Sequence, residues 1–249
     1  TKSAGGFGVV PLVVGVVAFG FAGGAAAQEG PTTVDDIIDT AQKREQNLQD
    51  VPIVVTTLSQ EALNGAGVRD IKDLQILTPG MTVTSTQSEA STTARIRGVG
   101  TVGDNPGLES SVGVVIDGVY RSRNSVGFGD LGELSRIEVL KGPQGTLFGK
   151  NTSAGVINII SEAPSFTPGF SAEATYGNFN AWGVAGSVTG PITDQIAGRL
   201  YVAKRERDGF YDVDLGDGPR TLTEDNTQNY TTARGQLLIL PNDNASIRL

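Results

Sequence analysis

The sequence predicts an α+β domain followed by a series of antiparallel β-strands. Up to Ala163, short segments with helical signals alternate with apolar, β-branched segments, which is typical of a small mixed domain. Beyond Ala163, apolar and polar residues alternate with period two over several stretches of strand length. The 34 glycines and the charged fraction of only 18% indicate a protein rich in strands and turns.

The N-terminus, residues 1–27, has the pattern of a secretory signal peptide. Lys2 supplies the positive end, residues 9–21 form a short apolar run, and Ala25–Ala27 supply the small residues of a cleavage site. A transmembrane helix is the alternative interpretation, but glycines interrupt the run, which is shorter than the ~20 residues that a spanning helix needs. We therefore expect the protein to be exported.

Composition excludes several classes of chemistry. The 249 residues include no cysteine and no histidine, so disulfides and thiolate or imidazole groups for catalysis and metal binding are excluded. Catalysis by carboxylates such as Asp117 or Glu138 is not excluded. An exported enzyme or a soluble β-protein is therefore an alternative class of protein. We expect no catalytic residues, no cofactor and no metal site. The net charge of −8, without a basic face, predicts no nucleic-acid partner.

The first domain is predicted to cover residues 50–165, after a polar leader over residues 28–49. After the apolar segment VPIVVTTLS, its predicted elements are, in order, a helix beginning near Ser59, a second short helix over 70–77, and strands over 81–86, 93–97 and 112–120. Pro79–Gly80 ends the second helix because proline and glycine break the helical pattern. The mixture of short helices and strands predicts a compact α+β fold.

Two strand-forming segments enclose a glycine-rich loop near the end of this domain. Ile137–Leu140 and Val156–Ile160 are rich in β-branched residues and favour strands. The loop between them contains Gly142, Pro143, Gly145 and Gly149. Glycine permits positive φ or a close backbone approach and proline fixes one φ, so we expect a tight, shaped loop. A purely structural turn and a functional loop both fit this pattern.

Residues 137–160 read IEVLKGPQGTLFGKNTSAGVINII, and this run resembles the plug-domain signature of TonB-dependent outer-membrane receptors. The earlier VPIVVTTLS, RIRGVG and VVIDGVY segments follow the order of the same family. The resemblance implies a transporter, not an enzyme, that imports a scarce nutrient, most often an iron–siderophore complex, across the bacterial outer membrane. A signalling receptor of the same architecture is the alternative, but such receptors carry an extra N-terminal domain where only residues 28–33 stand here.

The alternating strands after residue 165 fit either a soluble β-sandwich or a transmembrane barrel. The predicted strands cover 170–176, 181–189, 196–205, 231–240 and 245–249. Their length is close to the ~10 residues of a transmembrane β-strand, and three of their four connections are short. Together with the export signal, the resemblance favours the start of an antiparallel transmembrane β-barrel over residues 166–249, in contact with outer-membrane lipid. Because the family's barrel has about 22 strands, we expect an N-terminal portion of a longer receptor.

The resemblance also implies a coupling segment for the partner TonB. Its motif, the TonB box, corresponds to Asp36, Ile37, Ile38, Asp39 and Thr40. Asp39 stands where the family usually has an apolar residue, although recognition by strand addition depends mainly on backbone hydrogen bonds. The alternative interpretation is that this part of the leader binds no partner.

Two further groups of site residues follow from the resemblance. Arg97 and Lys141 correspond to cations that lock the plug to carboxylates of the barrel wall; two solvated surface cations are the alternative interpretation. The residues expected to face the substrate are Asp104, Asn105, Arg121, Arg123 and Asn124. Ordinary turn chemistry also explains these polar residues. The aspartates of the DVDLGDG segment, residues 212–218, do not have the spacing of a calcium loop.

Overall fold

The computed structural model describes residues 53–68, 70–84, 92–101, 109–121, 131–209, 211–212, 224–225, 227–242 and 245–249, and the backbone of 38–39 and 46–47. The described residues belong to two compact units, one within Gly23–Glu162 and one within Ala163–Leu249. The predicted signal peptide, residues 1–27, lies outside the described residues. Among the residues described, no helix is long and apolar enough to cross a membrane.

The described part of the first unit contains short strands and three short helices. In chain order they are β1 (Ile38–Asp39), β2 (Gln46–Asn47), β3 (Val54–Ser59), α1 (Gln60–Gly65), α2 (Leu74–Leu77), β4 (Met81–Thr84), β5 (Thr93–Ile96), β6 (Val112–Ile116), β7 (Val119–Arg121), β8 (Leu134–Lys141), α3 (Gly145–Phe148) and β9 (Gly155–Ser161). This mixture confirms the predicted α+β class.

A mixed five-stranded sheet forms the centre of the first unit. Its strand order is β3-β8-β9-β6-β7, in which β6 and β9 are parallel and the other neighbours are antiparallel. The pairs β4–β5 and β1–β2 form separate antiparallel hairpins. The parallel pairing aligns Val112 with Gly155, so the segments that precede β6 and β9 emerge at the same edge of the sheet.

The two helices before β4 differ in how well the sequence predicts them. Helix α1 begins where expected, because the Ser59 hydroxyl accepts a hydrogen bond from the amide of Ala62 at 3.3 Å. Helix α2 is shorter than the prediction of 70–77. The Asp70 carboxylate accepts hydrogen bonds from the amides of Lys72 and Asp73 at 2.6 and 3.2 Å, which closes a turn before Leu74. Such local side-chain bonds compete with the helix.

The core of the first unit lies on both faces of the sheet. On one face, Ile137, Val139, Ile157 and Ile159 are fully buried and pack against apolar side chains of α1, α2 and β4. On the other face, a smaller cluster contains Val115, Leu140 and Val156, with Val55, Tyr120 and Phe148 packed against it. The alternation follows from the period of two in a strand, and burial on both faces explains the long β-branched runs.

The second unit is a five-stranded antiparallel sheet with an added small hairpin. Its strands are β10 (Gly169–Tyr176), β11 (Trp182–Thr193), β12 (Ile196–Arg207), β13 (Tyr211–Asp212), β14 (Glu224–Asp225), β15 (Gln228–Asn242) and β16 (Ala245–Arg248). The sheet order is β10-β11-β12-β15-β16, and β13 pairs with β14 separately. The five predicted alternating strands are confirmed, and β11, β12 and β15 are longer than predicted, with 12, 12 and 15 residues.

The two faces of this second sheet differ in chemistry. The face that we call the apolar face carries Phe170, Tyr176, Trp182, Val184, Val188, Leu200, Val202, Leu237, Ile247 and Leu249. These side chains are exposed, Phe170 by 71% and Tyr176 by 81%. The opposite face carries Ser171, Glu173, Arg199, Arg205, Arg234 and Gln236, among others. An exposed, contiguous apolar face indicates that this surface contacts an apolar environment.

We predict that residues 28–165 alone fold as a monomer in aqueous buffer, because the first unit has its own core. Dispersed amide NMR peaks would check this prediction.

In that fragment, we predict that Gly155→Ala lowers the free energy of unfolding by about 1–3 kcal/mol. A Cβ at Gly155 would lie 2.3 Å from the Leu140 carbonyl oxygen and 2.7 Å from Ile96 Cδ1. The control Gly145→Ala meets nothing within 4 Å and should cost nothing. Equal urea midpoints for the two variants would contradict this packing.

Candidate functional site

The structure brings the two predicted lock cations, Arg97 and Lys141, close together. Lys141 ends β8, and its Nζ donates a hydrogen bond to the Pro79 carbonyl oxygen at 3.0 Å. The amide of Arg97, a residue with φ of 54°, donates to the Gly80 carbonyl oxygen at 2.7 Å. Burial lowers the pKa of Lys141, and the positive charge of Arg97 lowers this pKa further. The two cations therefore repel each other across a shared turn.

No carboxylate within the described part of the chain forms an ion pair with Arg97 or Lys141. The ion pairs in that part join other residues, such as Arg136 with Glu138 and Lys150 with Glu109. Two neighbouring cations repel each other, and a carboxylate placed beside them would lower this electrostatic free energy. The arrangement is therefore chemically suited to receive a negative group.

The glycine-rich loop between β8 and β9 is held by backbone hydrogen bonds. Gly142 and Gly149 adopt φ of 110° and 80°, values that favour glycine. The amide of Gly142 donates to the Ala154 carbonyl oxygen at 3.0 Å, and that of Gln144 donates to the Thr152 carbonyl oxygen at 2.9 Å. Pro143 lies between these two bonds and has no amide hydrogen to satisfy. Within the loop, α3 forms a single helical turn that the sequence did not predict.

Four side chains at the edge of the first sheet form a polar cluster: Glu109, Tyr120, Lys150 and Asn151. Lys150 Nζ donates to Glu109 Oε1 at 2.7 Å, and Asn151 Nδ2 donates to Tyr120 Oη at 3.0 Å. The hydrogen bond from Lys150 lowers the pKa of Glu109, and a hydrogen bond from Asn151 adds to this effect. The same contact with Glu109 raises the pKa of Lys150. This polar cluster joins three separate chain segments.

Sequence reasoning missed the polar cluster. Glu109 and Lys150 are 41 positions apart, and Tyr120 and Asn151 are 31 positions apart. No local motif links them, because their proximity depends on the parallel pairing of β6 with β9. A polar Lys150–Asn151 step directly after Gly149 was the available signal.

Glu138 and Asp117, the two carboxylates at which the sequence allowed enzyme chemistry, are hydrogen-bonded to other residues of the first unit. Glu138 is fully buried, and its two oxygens accept hydrogen bonds from Arg136 Nε and Asn158 Nδ2, each at 2.8 Å. The Asp117 carboxylate accepts from the amide and the hydroxyl of Ser161 at 2.9 and 2.7 Å. The hydrogen bonds to Glu138 therefore stabilise the sheet, and those to Asp117 stabilise the β6–β7 turn.

The other predicted site residues are described only in part. Arg121 ends β7 and is partly buried. Within the predicted TonB box, Ile38–Asp39 pairs with Gln46–Asn47 as a short antiparallel bridge. The residues that lie outside the described ranges are Asp36, Ile37, Thr40, Asp104, Asn105, Arg123 and Asn124. In the described ranges, no group of three or more potential metal-binding side chains is found.

Comparison with known proteins gives the class of this fold. Residues 47–156 match the model of the TonB-dependent Receptor Plug Domain. The pesticin receptor of Yersinia pestis is 29% identical over 190 residues, which cover 74% of this chain and 27% of that receptor. The iron-regulated outer membrane virulence protein of Vibrio cholerae serotype O1 is 29% identical over 220 residues, which cover 81% of this chain and 32% of that protein.

The fold also aligns with a solved receptor. The ferric yersiniabactin uptake receptor FyuA from Yersinia pestis superimposes with a TM-score of 0.69 at 26% identity, over 77% of this chain and 29% of that chain. Residues 47–156 thus match the plug domain of TonB-dependent receptors, and the plug together with the sheet that follows it aligns with a receptor of that family. The predicted resemblance is thus confirmed, and the family consists of transporters of the outer membrane rather than enzymes. The chain spans less than a third of the length of these relatives.

We predict that Glu138→Ala destabilises the first unit by about 3 kcal/mol, because it leaves Arg136 and Asn158 without the carboxylate that they bond. The control Glu61→Ala, on the exposed side of α1, should change the free energy of unfolding by less than about 0.5 kcal/mol. Urea unfolding of the 28–165 fragment measures both. A loss no larger for Glu138 than for Glu61 would show that the buried network does not stabilise the sheet.

Proposed function

We propose that this chain is the N-terminal part of a bacterial outer-membrane importer whose cargo is an iron–siderophore complex and whose energy comes through TonB. The observation that carries the proposal is the match of residues 47–156 to the plug domain. Two of the relatives are named for iron, one as iron-regulated and one as a ferric yersiniabactin uptake receptor. Their names support an iron chelate as the cargo of this chain.

The second sheet supports a position in the barrel wall, with its apolar face toward lipid. Strands β11 and β12 have 12 residues each, enough for the ~9–11 residues that a tilted strand needs to span the hydrocarbon. At one end of the apolar face, Tyr176 lies opposite Trp182, and the same row continues through Glu206 to Asn229. Amphipathic aromatic rings followed by polar groups are typical of the level where lipid headgroups begin.

The lock remains part of the proposal. Arg97 and Lys141 repel each other and share the turn at Pro79–Gly80. We propose that carboxylates of the barrel wall bind this cation pair and so hold the plug in its closed position. A lysine in place of the family's frequent arginine keeps the charge but loses the two-pronged hydrogen bonding, so the lock in this chain is looser.

The coupling segment is proposed to be residues 36–40. TonB would bind it by adding a strand, which requires backbone amides and carbonyls able to pair in the extended form. The antiparallel bridge between Ile38–Asp39 and Gln46–Asn47 supports this ability. TonB and Gln46–Asn47 would then compete for the backbone of Ile38–Asp39. The local pairing would therefore adjust the strength of the coupling without preventing it.

The function is tested with the full-length gene in its host. The protein should fractionate with the outer membrane, and a deletion strain should lose growth on iron-siderophore sources while it keeps growth on free iron. Cobalamin and glycan sources are the control arms. Growth loss confined to one of those arms would replace iron as the cargo, and a protein recovered outside the outer membrane would contradict the importer itself.

We predict that Ile38→Pro abolishes uptake and leaves cargo binding intact, because proline removes the amide hydrogen that strand addition needs. The measurement is radio-iron uptake compared with binding to de-energised cells. Gln46→Pro is the matched control, since it weakens only the local bridge with Asp39 and should leave uptake at or above the wild-type rate. Uptake that survives Ile38→Pro would mean that coupling occurs elsewhere in the chain.

A further inference from the structure

The apolar face of the second sheet carries charged side chains at one end. Along β12, Leu200 and Val202 are followed on the same face by Lys204 and Glu206. Among the described positions of this face, Lys204 and Glu206 are the charged residues. A charged side chain on the lipid-facing side of a barrel destabilises it near the middle of the membrane and is tolerated near the membrane surface. The pair therefore marks one boundary of the apolar face.

Lys204, Glu206 and Asn229 form a network that we call the boundary triad. Lys204 Nζ contacts Asn229 Oδ1 and lies 3.5 Å from Glu206 Oε1. Asn229 Nδ2 donates a hydrogen bond to Glu206 Oε1 at 2.7 Å. An ammonium group has three hydrogens, and in the described part of the chain two acceptors contact this one. Lys204 therefore has a further hydrogen to donate to an acceptor of another molecule.

Exposed aromatic rings lie beside the boundary triad. Trp182 is directly opposite Glu206 in the sheet, and Tyr176 is directly opposite Trp182. The Trp182 side chain is 38% exposed, and that of Tyr176 is more exposed still. The electron-rich face of an aromatic ring attracts the C–H groups of a sugar ring, while the indole N–H and phenol O–H form hydrogen bonds with sugar hydroxyls. This end of the face therefore presents groups that suit a phosphate and a sugar side by side.

The connections between strands give the direction in which the boundary triad points. The long connection of the sheet, residues 208–227 between β12 and β15, lies at the triad end. The opposite end has the short connections over residues 194–195 and 243–244. In outer-membrane barrels the longer connections face the outside of the cell and the shorter ones face the periplasm. With the sheet in the barrel wall, the boundary triad lies at the level of the headgroups of the outer leaflet.

Resting on the place in the barrel wall proposed above for this sheet, we propose that Lys204 and Trp182 bind the headgroup of a phosphorylated glycolipid of the outer leaflet. The ammonium donates a charge-assisted hydrogen bond to a phosphate oxygen. Glu206 and Asn229 hold this ammonium at the surface of the sheet. The Trp182 ring stacks against the adjoining sugar. Lysine suits this role because its flexible stem carries a compact charge that follows a mobile headgroup.

Three substitutions separate binding of a headgroup from a purely structural role of the triad. Lys204→Gln should weaken binding of a phosphorylated glycolipid about fivefold, the effect of one basic residue at a membrane surface. Trp182→Leu should weaken it about threefold, because stacking is lost while apolar contact remains. Glu206→Gln breaks the same ion pair from its other end, but it removes a negative charge near the phosphate. Its binding should therefore equal or exceed that of the wild type.

The experiment uses the full-length receptor, extracted from outer membranes in detergent and titrated with lipid in native mass spectrometry. Lipid A, a phosphorylated diglucosamine lipid, is the main probe. Phosphatidylglycerol supplies a phosphate without a sugar, and a monoglucosyl diacylglycerol supplies a sugar without a phosphate. Arg234→Gln is the matched control, because Arg234 is also a cation of this sheet but lies on its opposite face; it should leave binding of lipid A unchanged. Circular dichroism checks that each variant is folded.

Weaker binding of lipid A by Lys204→Gln, with binding kept in Glu206→Gln and Arg234→Gln, supports the proposal. Unchanged binding by Lys204→Gln, or an equal loss in either of the other two variants, overturns it while the importer function stands. Wild-type receptor that binds lipid A no more tightly than phosphatidylglycerol also overturns the glycolipid site. Full-length protein recovered outside the outer membrane overturns the importer function, and this inference with it.

Discussion

The close pairing of β8 with β9 is the constraint on which the rest of the first unit depends. The two strands run antiparallel at the centre of the sheet, and the glycine-rich loop joins them over a short distance. Gly155 makes this approach feasible, because a Cβ there would lie 2.3 Å from the Leu140 carbonyl oxygen. The other edge of β9 pairs in parallel with β6, and β6 pairs in turn with β7. The predicted lock cation Lys141 and the polar cluster both take their positions from this pairing.

Charged groups in the first unit have different physical roles according to their burial. Glu138 is fully buried, and its bonds to Arg136 and Asn158 compensate the loss of water, so it belongs to the architecture. Lys150 and Glu109 are exposed and form an ion pair that costs little to break. Lys141 lies between these cases, because burial and a neighbouring cation both lower its pKa. Groups whose charges are only partly compensated are those suited to meet another molecule or another part of the chain.

In the second unit, apolar and polar side chains are separated by the period of two along each strand. Each of its strands presents apolar residues to one side and polar residues to the other, and antiparallel register aligns them across the sheet. Phe170, Val188 and Leu200 share one row on the apolar face, while Ser171, Ser187 and Tyr201 share the next row on the polar face. A one-residue slip would reverse every side chain, so the apolar face itself enforces the register.

The sequence by itself determined the kinds of element and much of their extent. Period-two alternation predicted the five strands of the second unit, Ser59 marked the start of α1, and the run from Ile137 to Ile160 identified the family. It could not determine the start of the second predicted helix, where Asp70 and Asp73 close a turn with side-chain bonds. Nor could it pair Lys150 with Glu109 or Lys141 with Pro79, which lie 41 and 62 positions apart. Helix caps and alternation are local in the chain, whereas these contacts depend on which strands become neighbours, and only the folded sheet decides that.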